Sequence, residues 1–235
     1  MKIKLFADGA DISEMINCYN EGVVKGFTTN PTLMRQAGIK SYETFAKDAI
    51  EEIPDAPISF EVFSDEFPEM HRQALKLNDM GENVFVKIPI TNTKGESSIP
   101  LVESLVLQGV KVNVTAIMTA AQVRSLASVL SPDIPSVVSV FAGRIADSLR
   151  DPDPIMRECR LELSHYRLEH KAELLWASCR EVYNIKQADD CGCQIITVTP
   201  SILKKLKLAG KDLDEYSLET VKMFYDDAEA AGYTL

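Results

Sequence analysis

Residues 84–90 read VFVKIPI, a short apolar run interrupted by a single polar side chain, Lys87. Short runs that are apolar on both faces are typical of strands in parallel sheets, because helices cover one face and the core covers the other. Seven further β-rich runs occur along the chain, at residues 3–7, 26–29, 58–63, 110–117, 136–141, 173–177 and 194–198. The sequence therefore predicts eight short strands.

Segments with helical spacing or capping signals lie between many of these strands. Residues 11–21 begin with Asp11 and have Glu14 three residues later, as a capping box does. Apolar residues fall on one stripe in three further segments, at residues 41–53, 67–80 and 119–130, and a last long helix is predicted at about residues 214–231. The sequence DPDP at residues 151–154 is predicted to be a turn rather than a metal-binding loop.

Strands that alternate with helices indicate a parallel sheet covered by helices. Eight such units in 235 residues predict a single (β/α)8 barrel, an α/β TIM barrel that forms one domain over residues 1–235, since no Pro/Gly/Ser-rich linker divides the chain. A doubly wound open sheet is the alternative. The first strand is followed by DGAD rather than by the GxGxxG sequence of dinucleotide-binding folds, which favours the barrel.

Charge and composition exclude several classes of partner. The formal net charge of −10 provides no basic surface for nucleic acid, whose binding depends on neutralising phosphates. No segment approaches the roughly 20 apolar residues of a membrane span, and the first residues lack the apolar stretch of a secretory signal. Five cysteines without metal-ligand spacing are expected to be free thiols. We therefore expect a cytoplasmic protein with neither nucleic acid nor membrane as a partner.

Lys87 is the most informative candidate for chemistry, because it lies in the middle of an apolar strand. Burial disfavours the ammonium form, and a neutral amine in a dry pocket can add to a carbonyl group to form a Schiff base. The alternative is a structural lysine whose methylene stem packs on apolar surface while its ammonium group reaches water. The sequence favours the functional interpretation.

Other polar residues stand at the predicted strand ends, where barrel enzymes place their active sites. Asp8 and Glu61 could supply acid/base catalysis, with the Thr115 hydroxyl completing a proton relay through a water molecule. Alternatively, Asp8 caps a helix and Glu61 is a solvated strand end. Arg144 and Arg180, together with Ser178, could bind a phosphate group, although either arginine alone is typical of a protein surface. The further polar strand ends include Thr28, Asn30, Asn113 and Ser139.

Metal chemistry finds no support in the sequence. His71, His165 and His170 do not have the spacing of zinc ligands, and no phosphate-binding GxxxxGK[ST] loop or GxSxG nucleophile motif occurs. The sequence alone therefore predicts no metal site.

Five segments in order resemble the signature blocks of the transaldolase family: GFTTNPTLM, VFVKIPIT, VNVTAIMTAAQ, SVFAGRIAD and LLWASCRE. They extend over nearly the whole chain. The resemblance implies a (β/α)8 barrel that needs no cofactor, and the chain is similar in length to the small-subunit branch, which also contains fructose 6-phosphate aldolases. Assembly into a homo-oligomer is expected as well.

The resemblance also implies roles for individual residues. Lys87 is the Schiff-base lysine, Asp8 the acid/base at C–C cleavage, and Glu61 with Thr115 holds the catalytic water. The candidates for substrate binding are Thr28, Asn30, Asn113, Ser139 and Phe141. The candidates for phosphate binding are Arg144, Ser178 and Arg180.

The implied reaction transfers a dihydroxyacetone unit from sedoheptulose 7-phosphate to glyceraldehyde 3-phosphate, in the pentose phosphate pathway. It yields erythrose 4-phosphate and fructose 6-phosphate. Glu61 and Phe141 resemble transaldolases, since the aldolases of this branch tend to have Gln and Tyr there. Gly9 stands where a hydroxyl residue is usual, and Val140 where Pro is common. The alternatives are a fructose 6-phosphate aldolase that releases dihydroxyacetone and a phosphosugar-binding barrel without catalysis.

Overall fold

The structure is a computed structural model that describes residues 2–168 and 170–235. Eight strands occur in this part of the chain: β1 (Lys4–Asp8), β2 (Gly26–Thr28), β3 (Ile58–Glu61), β4 (Val84–Pro89), β5 (Val112–Ile117), β6 (Ser136–Val140), β7 (Ala172–Trp176) and β8 (Ile195–Val198). Each pairs in parallel with the next, and β8 pairs with β1, so the sheet closes into a barrel. The predicted (β/α)8 fold is therefore confirmed.

Helices alternate with the strands along the chain and continue after the last one. Their bounds are α1 (Ile12–Asn20), α2 (Pro31–Gln36), α3 (Tyr42–Glu52), α4 (Phe67–Asn78), α5 (Ile99–Leu107), α6 (Ala120–Ala127), α7 (Ala142–Asp147), α8 (Pro152–His165), α9 (Tyr183–Asp190), α10 (Pro200–Lys205) and α11 (Leu213–Ala231). A 3₁₀ turn occupies Leu206–Leu208. None of the helices described here is long and apolar enough to cross a membrane.

Capping side chains define where several helices begin. Asp11 accepts a hydrogen bond from the Glu14 backbone N–H at 2.9 Å and so caps α1. Thr119 and Gln122 form a complete capping box at the start of α6. The predicted turn at residues 151–154 is wrong. Asp151 caps α8 by accepting from the Asp153 N–H at 3.0 Å, and proline fits the first helical turn, where a backbone N–H is not needed.

An apolar layer lies in the interior of the barrel just below the polar strand ends. A buried cluster lies there, made of Phe6, Val137, Leu175, Ala177 and Ile195. Because side chains alternate between the two faces of a strand, the residues two positions further along face the interior as well. Asp8, Ser139 and Thr197 follow Phe6, Val137 and Ile195 in this way. The polar strand ends therefore lie in the mouth of the barrel, on top of an apolar core.

The chain divides into two compact units, residues 1–203 and residues 204–235. The first contains all eight strands of the barrel. The second contains α11, which begins at the N-cap Asp212 and ends at Gly232, whose φ of 66° is left-handed as in many helix C-caps. The assignment of the whole chain to one domain stays a prediction.

Candidate active site

A layer of polar side chains from neighbouring strands fills the mouth of the barrel. The strand register places Asp8 beside Thr28, Thr28 beside Ser59, Glu61 beside Lys87, and Lys87 beside Asn113. Partners in register point to the same side of a sheet. We call this set the polar layer; it consists of Asp8, Thr28, Ser59, Glu61, Lys87, Asn113, Thr115, Ser139 and Thr197. Seven of the twelve residues predicted as site residues from the strand ends and the family resemblance lie in this layer: Lys87, Asp8, Thr28, Glu61, Asn113, Thr115 and Ser139.

Lys87 lies in the middle of this layer and is only 6% exposed. Its Nζ donates a hydrogen bond to the backbone oxygen of Thr29 at 2.8 Å and lies 3.1 Å from Oε2 of Glu61. The lysine therefore does not reach out to bulk water, which argues against a purely structural, solvated role. A buried amine next to a carboxylate is arranged for proton transfer and carbonyl chemistry.

Asp8 takes part in a chain of hydroxyl groups. Thr28 Oγ1 donates to Asp8 Oδ1 at 2.8 Å and lies 2.6 Å from Thr197 Oγ1. Because Thr28 has one hydroxyl proton, which it gives to Asp8, Thr197 is the donor in the second bond. Burial raises the pKa of Asp8, while the charge of Lys87 and the Thr28 hydrogen bond act in the opposite direction. A raised pKa suits a carboxyl group that exchanges protons near neutral pH.

A second chain of hydrogen bonds fixes the predicted substrate-binding amide. Asn113 Nδ2 donates to Ser59 Oγ at 2.9 Å, and Asn113 Oδ1 accepts from Ser139 Oγ at 2.6 Å. All three side chains are buried. The two hydroxyls therefore determine which way the amide points and leave one Nδ2 proton unused by these bonds.

The hydroxyl of Thr115 is buried and forms no hydrogen bond with any residue that the structure describes. A buried hydroxyl without a partner costs about 1–3 kcal/mol. The register at this point of β5 is irregular, and the next residue, Ala116, has a left-handed φ of 60°. An unsatisfied polar group of this kind is often functional.

Asn30 lies at the edge of the site and has a structural role of its own. Its Oδ1 accepts a hydrogen bond from the Leu33 N–H at 3.0 Å and caps α2. Its amide Nδ2 is a donor that the cap does not use. Phe141, predicted to line the pocket, packs against the apolar cluster of the barrel and lies under the guanidinium of Arg144, 5.4 Å from the ring centre.

The three predicted phosphate-binding residues lie around one close backbone contact. The N–H of Gly143 donates to the backbone oxygen of Ala177 at 3.3 Å, so the start of α7 lies directly against the loop that follows β7. Ser178, in that loop, has a left-handed φ of 62°. Arg180 pairs with Asp147 of α7, and both side chains are about half exposed. A phosphate bound by Arg180 would have to share its guanidinium with this carboxylate.

Three polar residues of the site were not predicted. Ser59 and Thr197 lie on the inward face of their strands, and the alternation of side chains along β3 and β8 could have identified them. Tyr42 was predicted only as part of an apolar helix stripe. Its hydroxyl instead accepts from the Glu61 N–H at 2.7 Å and donates to the Glu61 backbone oxygen at 2.8 Å. No local sequence signal indicates this contact.

Metal ligands are not grouped in the described ranges, 2–168 and 170–235: no three His, Cys, Asp or Glu side chains there could hold an ion together. Burial raises the pKa of Cys159 to about 12 and those of Cys179 and Cys191 to about 11. These thiols therefore stay protonated at neutral pH and are poor nucleophiles.

Comparison with known proteins identifies the family of the chain. The sequence matches the family described as Transaldolase/Fructose-6-phosphate aldolase over residues 5–235. It is 32% identical to a "Probable transaldolase" of Chelativorans sp. (strain BNC1) over 223 residues, which cover 94% of this chain and 97% of that protein. It is 34% identical to "Probable transaldolase 2" of Listeria monocytogenes over 204 residues, 87% of this chain and 88% of that protein. The chain therefore belongs to the transaldolase/fructose-6-phosphate aldolase family and is an enzyme of that family.

Proposed function

We propose that the protein is a transaldolase that carries a dihydroxyacetone unit as a Schiff base on Lys87. The observation that carries the proposal is the position of Lys87, buried in the barrel mouth with its Nζ 3.1 Å from the Glu61 carboxylate. Membership of the family and the relatives named as probable transaldolases support the same activity. The proposed donor is sedoheptulose 7-phosphate and the acceptor glyceraldehyde 3-phosphate.

The proposed reaction begins when the Lys87 ammonium loses a proton, for which Glu61 is the nearest carboxylate. The amine adds to the C2 carbonyl of the ketose, and loss of water gives the Schiff base. Asp8 then takes the proton of the C4 hydroxyl, the C3–C4 bond breaks, and the aldose product leaves. The three-carbon enamine stays on Lys87 and adds to the acceptor aldehyde. The same steps in reverse release the new ketose.

Transfer requires that the enamine is not protonated before the acceptor arrives. Phe141 offers no proton donor, in contrast to the tyrosine that is usual in the aldolases of this branch. Glu61, with the unpaired Thr115 hydroxyl, is proposed to hold the catalytic water. Asn30, Asn113 and Ser139 are proposed to bind the sugar hydroxyls, with Thr28 as a further contact. Glu61 and Phe141 are proposed to favour transfer over release.

The substrate phosphate is proposed to bind at Arg144, Ser178 and Arg180. Guanidinium groups bind phosphate through paired, charge-assisted hydrogen bonds. The acidic chain makes such local cations necessary, since the net charge of −10 repels a phosphorylated sugar. The Arg180–Asp147 pair is exposed and contributes little stability, so a phosphate can compete for the arginine.

We also propose that the protein assembles into a homo-oligomer. Large apolar side chains on α11 are exposed, among them Leu218, Val221, Phe224 and Tyr225. Exposed apolar surface of this kind is typical of contacts between subunits.

The proposal is tested by trapping the intermediate. Purified protein is incubated with fructose 6-phosphate, reduced with borohydride and digested, and we expect a reduced three-carbon adduct on the peptide that contains Lys87. Lys87→Ala should form none. Lys4→Ala is the matched control, because Lys4 is also paired with a strand glutamate, Glu173, and should leave the adduct unchanged. An adduct that persists in Lys87→Ala would refute the assignment.

A second measurement separates transfer from release. Fructose 6-phosphate is supplied with and without erythrose 4-phosphate, and free dihydroxyacetone is followed over time. A transaldolase turns over only with the acceptor present. If free dihydroxyacetone appears as fast without the acceptor as sedoheptulose 7-phosphate forms with it, the protein is a fructose 6-phosphate aldolase instead.

A further inference from the structure

The hydrogen bonds between β2 and β3 stop one step before the catalytic residues. The register includes Phe27 beside Ile58 and Thr28 beside Ser59, and the Thr29 N–H donates to the Ser59 backbone oxygen at 3.1 Å. Bonds in a parallel pair are evenly spaced, so the next one would join the Glu61 N–H to the Thr29 oxygen. In the structure this bond is absent, and the Glu61 N–H and the Thr29 oxygen each have a different hydrogen-bond partner.

On β3, the Tyr42 hydroxyl takes the place of the Thr29 oxygen as the partner of the Glu61 N–H. This hydroxyl accepts from the Glu61 N–H at 2.7 Å and donates to the Glu61 backbone oxygen at 2.8 Å. The hydroxyl therefore satisfies both backbone groups of one residue. Burial raises the pKa of Tyr42, so the hydroxyl keeps its proton and remains a donor.

At the end of β2, Lys87 takes the place of the Glu61 N–H as the partner of the Thr29 oxygen. The Thr29 backbone oxygen, which a regular sheet would use for Glu61, accepts from Lys87 Nζ at 2.8 Å. The same Nζ lies 3.1 Å from the Glu61 carboxylate. One interruption of the sheet thus provides a fixed acceptor for the lysine and fixes the backbone of the carboxylate that faces it.

The aromatic ring of Tyr42 is held by its neighbours. It packs edge-on against Phe60, with ring centres 6.4 Å apart, and at a tilt against Phe63, at 5.3 Å. These contacts do not involve the hydroxyl, so Tyr42→Phe removes the two hydrogen bonds and keeps the packing. The variant thereby separates the effect of the hydroxyl from that of the ring.

We propose that Tyr42 is a positioning residue of the active site, whose hydroxyl keeps β2 and β3 apart so that Glu61 and the Thr29 carbonyl both face Lys87. The inference rests on the proposed function of Lys87 and adds a residue of α3 to the site. Without the hydroxyl, the Glu61 N–H has the Thr29 oxygen as its regular sheet partner, and Lys87 then competes with Glu61 for that oxygen. The carboxylate and the amine move out of position together.

The test is a double-mutant cycle with Tyr42→Phe and Glu61→Gln. For each protein, we measure the rate of borohydride-trapped adduct formation at saturating fructose 6-phosphate, the half-saturating substrate concentration, and the melting temperature. Tyr42→Phe should slow adduct formation about 10- to 100-fold, as expected for a displacement of about 1 Å. The half-saturating substrate concentration should change far less. In the Glu61→Gln background its effect on the rate should be clearly smaller, because the part that acts through the Glu61 carboxylate is already lost and coupled residues are not additive.

The melting temperature distinguishes a structural role from a positioning role. The hydrogen bonds to the Glu61 backbone are lost in both backgrounds, so Tyr42→Phe should lower the melting temperature by a similar amount in each. Only the effect on rate should be smaller in Glu61→Gln. Tyr19→Phe is the control, since the Tyr19 hydroxyl bonds to Asp55 on the surface, and its rate should equal that of the unmodified protein.

Three results would overturn the inference. They are an unchanged rate in Tyr42→Phe, an equal loss of rate in both backgrounds, or a change only in the half-saturating substrate concentration of Tyr42→Phe. Failure of the proposed function itself has a different signature. In that case the unmodified protein forms no adduct on Lys87, and the inference falls with it.

Discussion

Gly143 is the position where one added methyl group should damage the proposed phosphate site. A Cβ at Gly143 would lie 1.6 Å from the Ser178 backbone oxygen and 2.7 Å from its carbonyl carbon. Ordinary contacts begin at about 3.4 Å, so Gly143→Ala must separate α7 from the β7–α9 loop by about 1.8 Å. Both sides of this contact are backbone, and neither can give way by rotating a side chain.

The expected consequences follow from that displacement. Overpacking of this kind costs about 1–3 kcal/mol of stability. A shift of about 1 Å in a positioning group can cost about 10²-fold in rate, and here Arg144 and Ser178 would move apart. We expect the half-saturating concentration of fructose 6-phosphate in adduct formation to rise at least about tenfold, with little change for unphosphorylated dihydroxyacetone.

The assay is borohydride trapping with each of the two substrates, together with thermal unfolding. Gly9→Ala is the matched control, because a Cβ at Gly9 meets only Pro200, at 4.0 Å, and should be tolerated. Unchanged affinity for fructose 6-phosphate would refute the phosphate assignment. An equal loss with both substrates would show that Gly143 supports the fold and not the phosphate site.

Two further predictions concern the polar layer. Thr115→Val removes a buried hydroxyl that has no partner among the described residues, so unfolding should show little change in stability, while steady-state transfer should fall about 10²- to 10⁴-fold; a large stability loss with full activity would contradict the assigned role. Asp8 should set the acid limb of the pH–rate profile, because kcat falls as pH drops through the pKa of this carboxyl, which burial raises above its ordinary 3.8. Asp8→Asn should be slower and lack that limb, and a limb that persists in the variant belongs to another group. The raised pKa also means that the folded state binds this proton more tightly than the unfolded state, so the contribution of Asp8 to stability decreases as pH rises from the unfolded to the folded pKa.

The strands were predictable because their signal is local. Each is a short β-rich run of apolar residues, and the polar residue at its end marks where the barrel opens. Asp8 was identified in this way and Lys87 by its position inside an apolar run, and the structure brings both into one layer. Short helices carried less information, since six residues of α7 span under two turns and show no clear periodicity.

The helix α8 was missed for a different reason. Its first turn contains two prolines, which indicate a turn when they are considered alone, but the capping bond from Asp151 makes them compatible with a helix. The contacts of Tyr42 and Gly143 could not be predicted at all. Both depend on how separate segments meet, the first on an interrupted pair of strands and the second on two loops in backbone contact. Such contacts are properties of the tertiary structure, which a local pattern does not encode.

The two partners of Lys87 differ in what they can do during the proposed reaction. An ammonium group has three protons to donate; the Thr29 oxygen accepts one of them, and the Glu61 carboxylate lies 3.1 Å from the nitrogen as its ion-pair partner. A protonated Schiff base retains a single N–H, so it no longer needs both acceptors. The Thr29 oxygen belongs to the backbone and cannot take up a proton, whereas Glu61 can. In the proposed reaction, Glu61 is therefore the partner that takes a proton away from the nitrogen and can pass it on. The Thr29 carbonyl stays in place and orients the remaining N–H. The interruption of the sheet that Tyr42 maintains is what makes this carbonyl available.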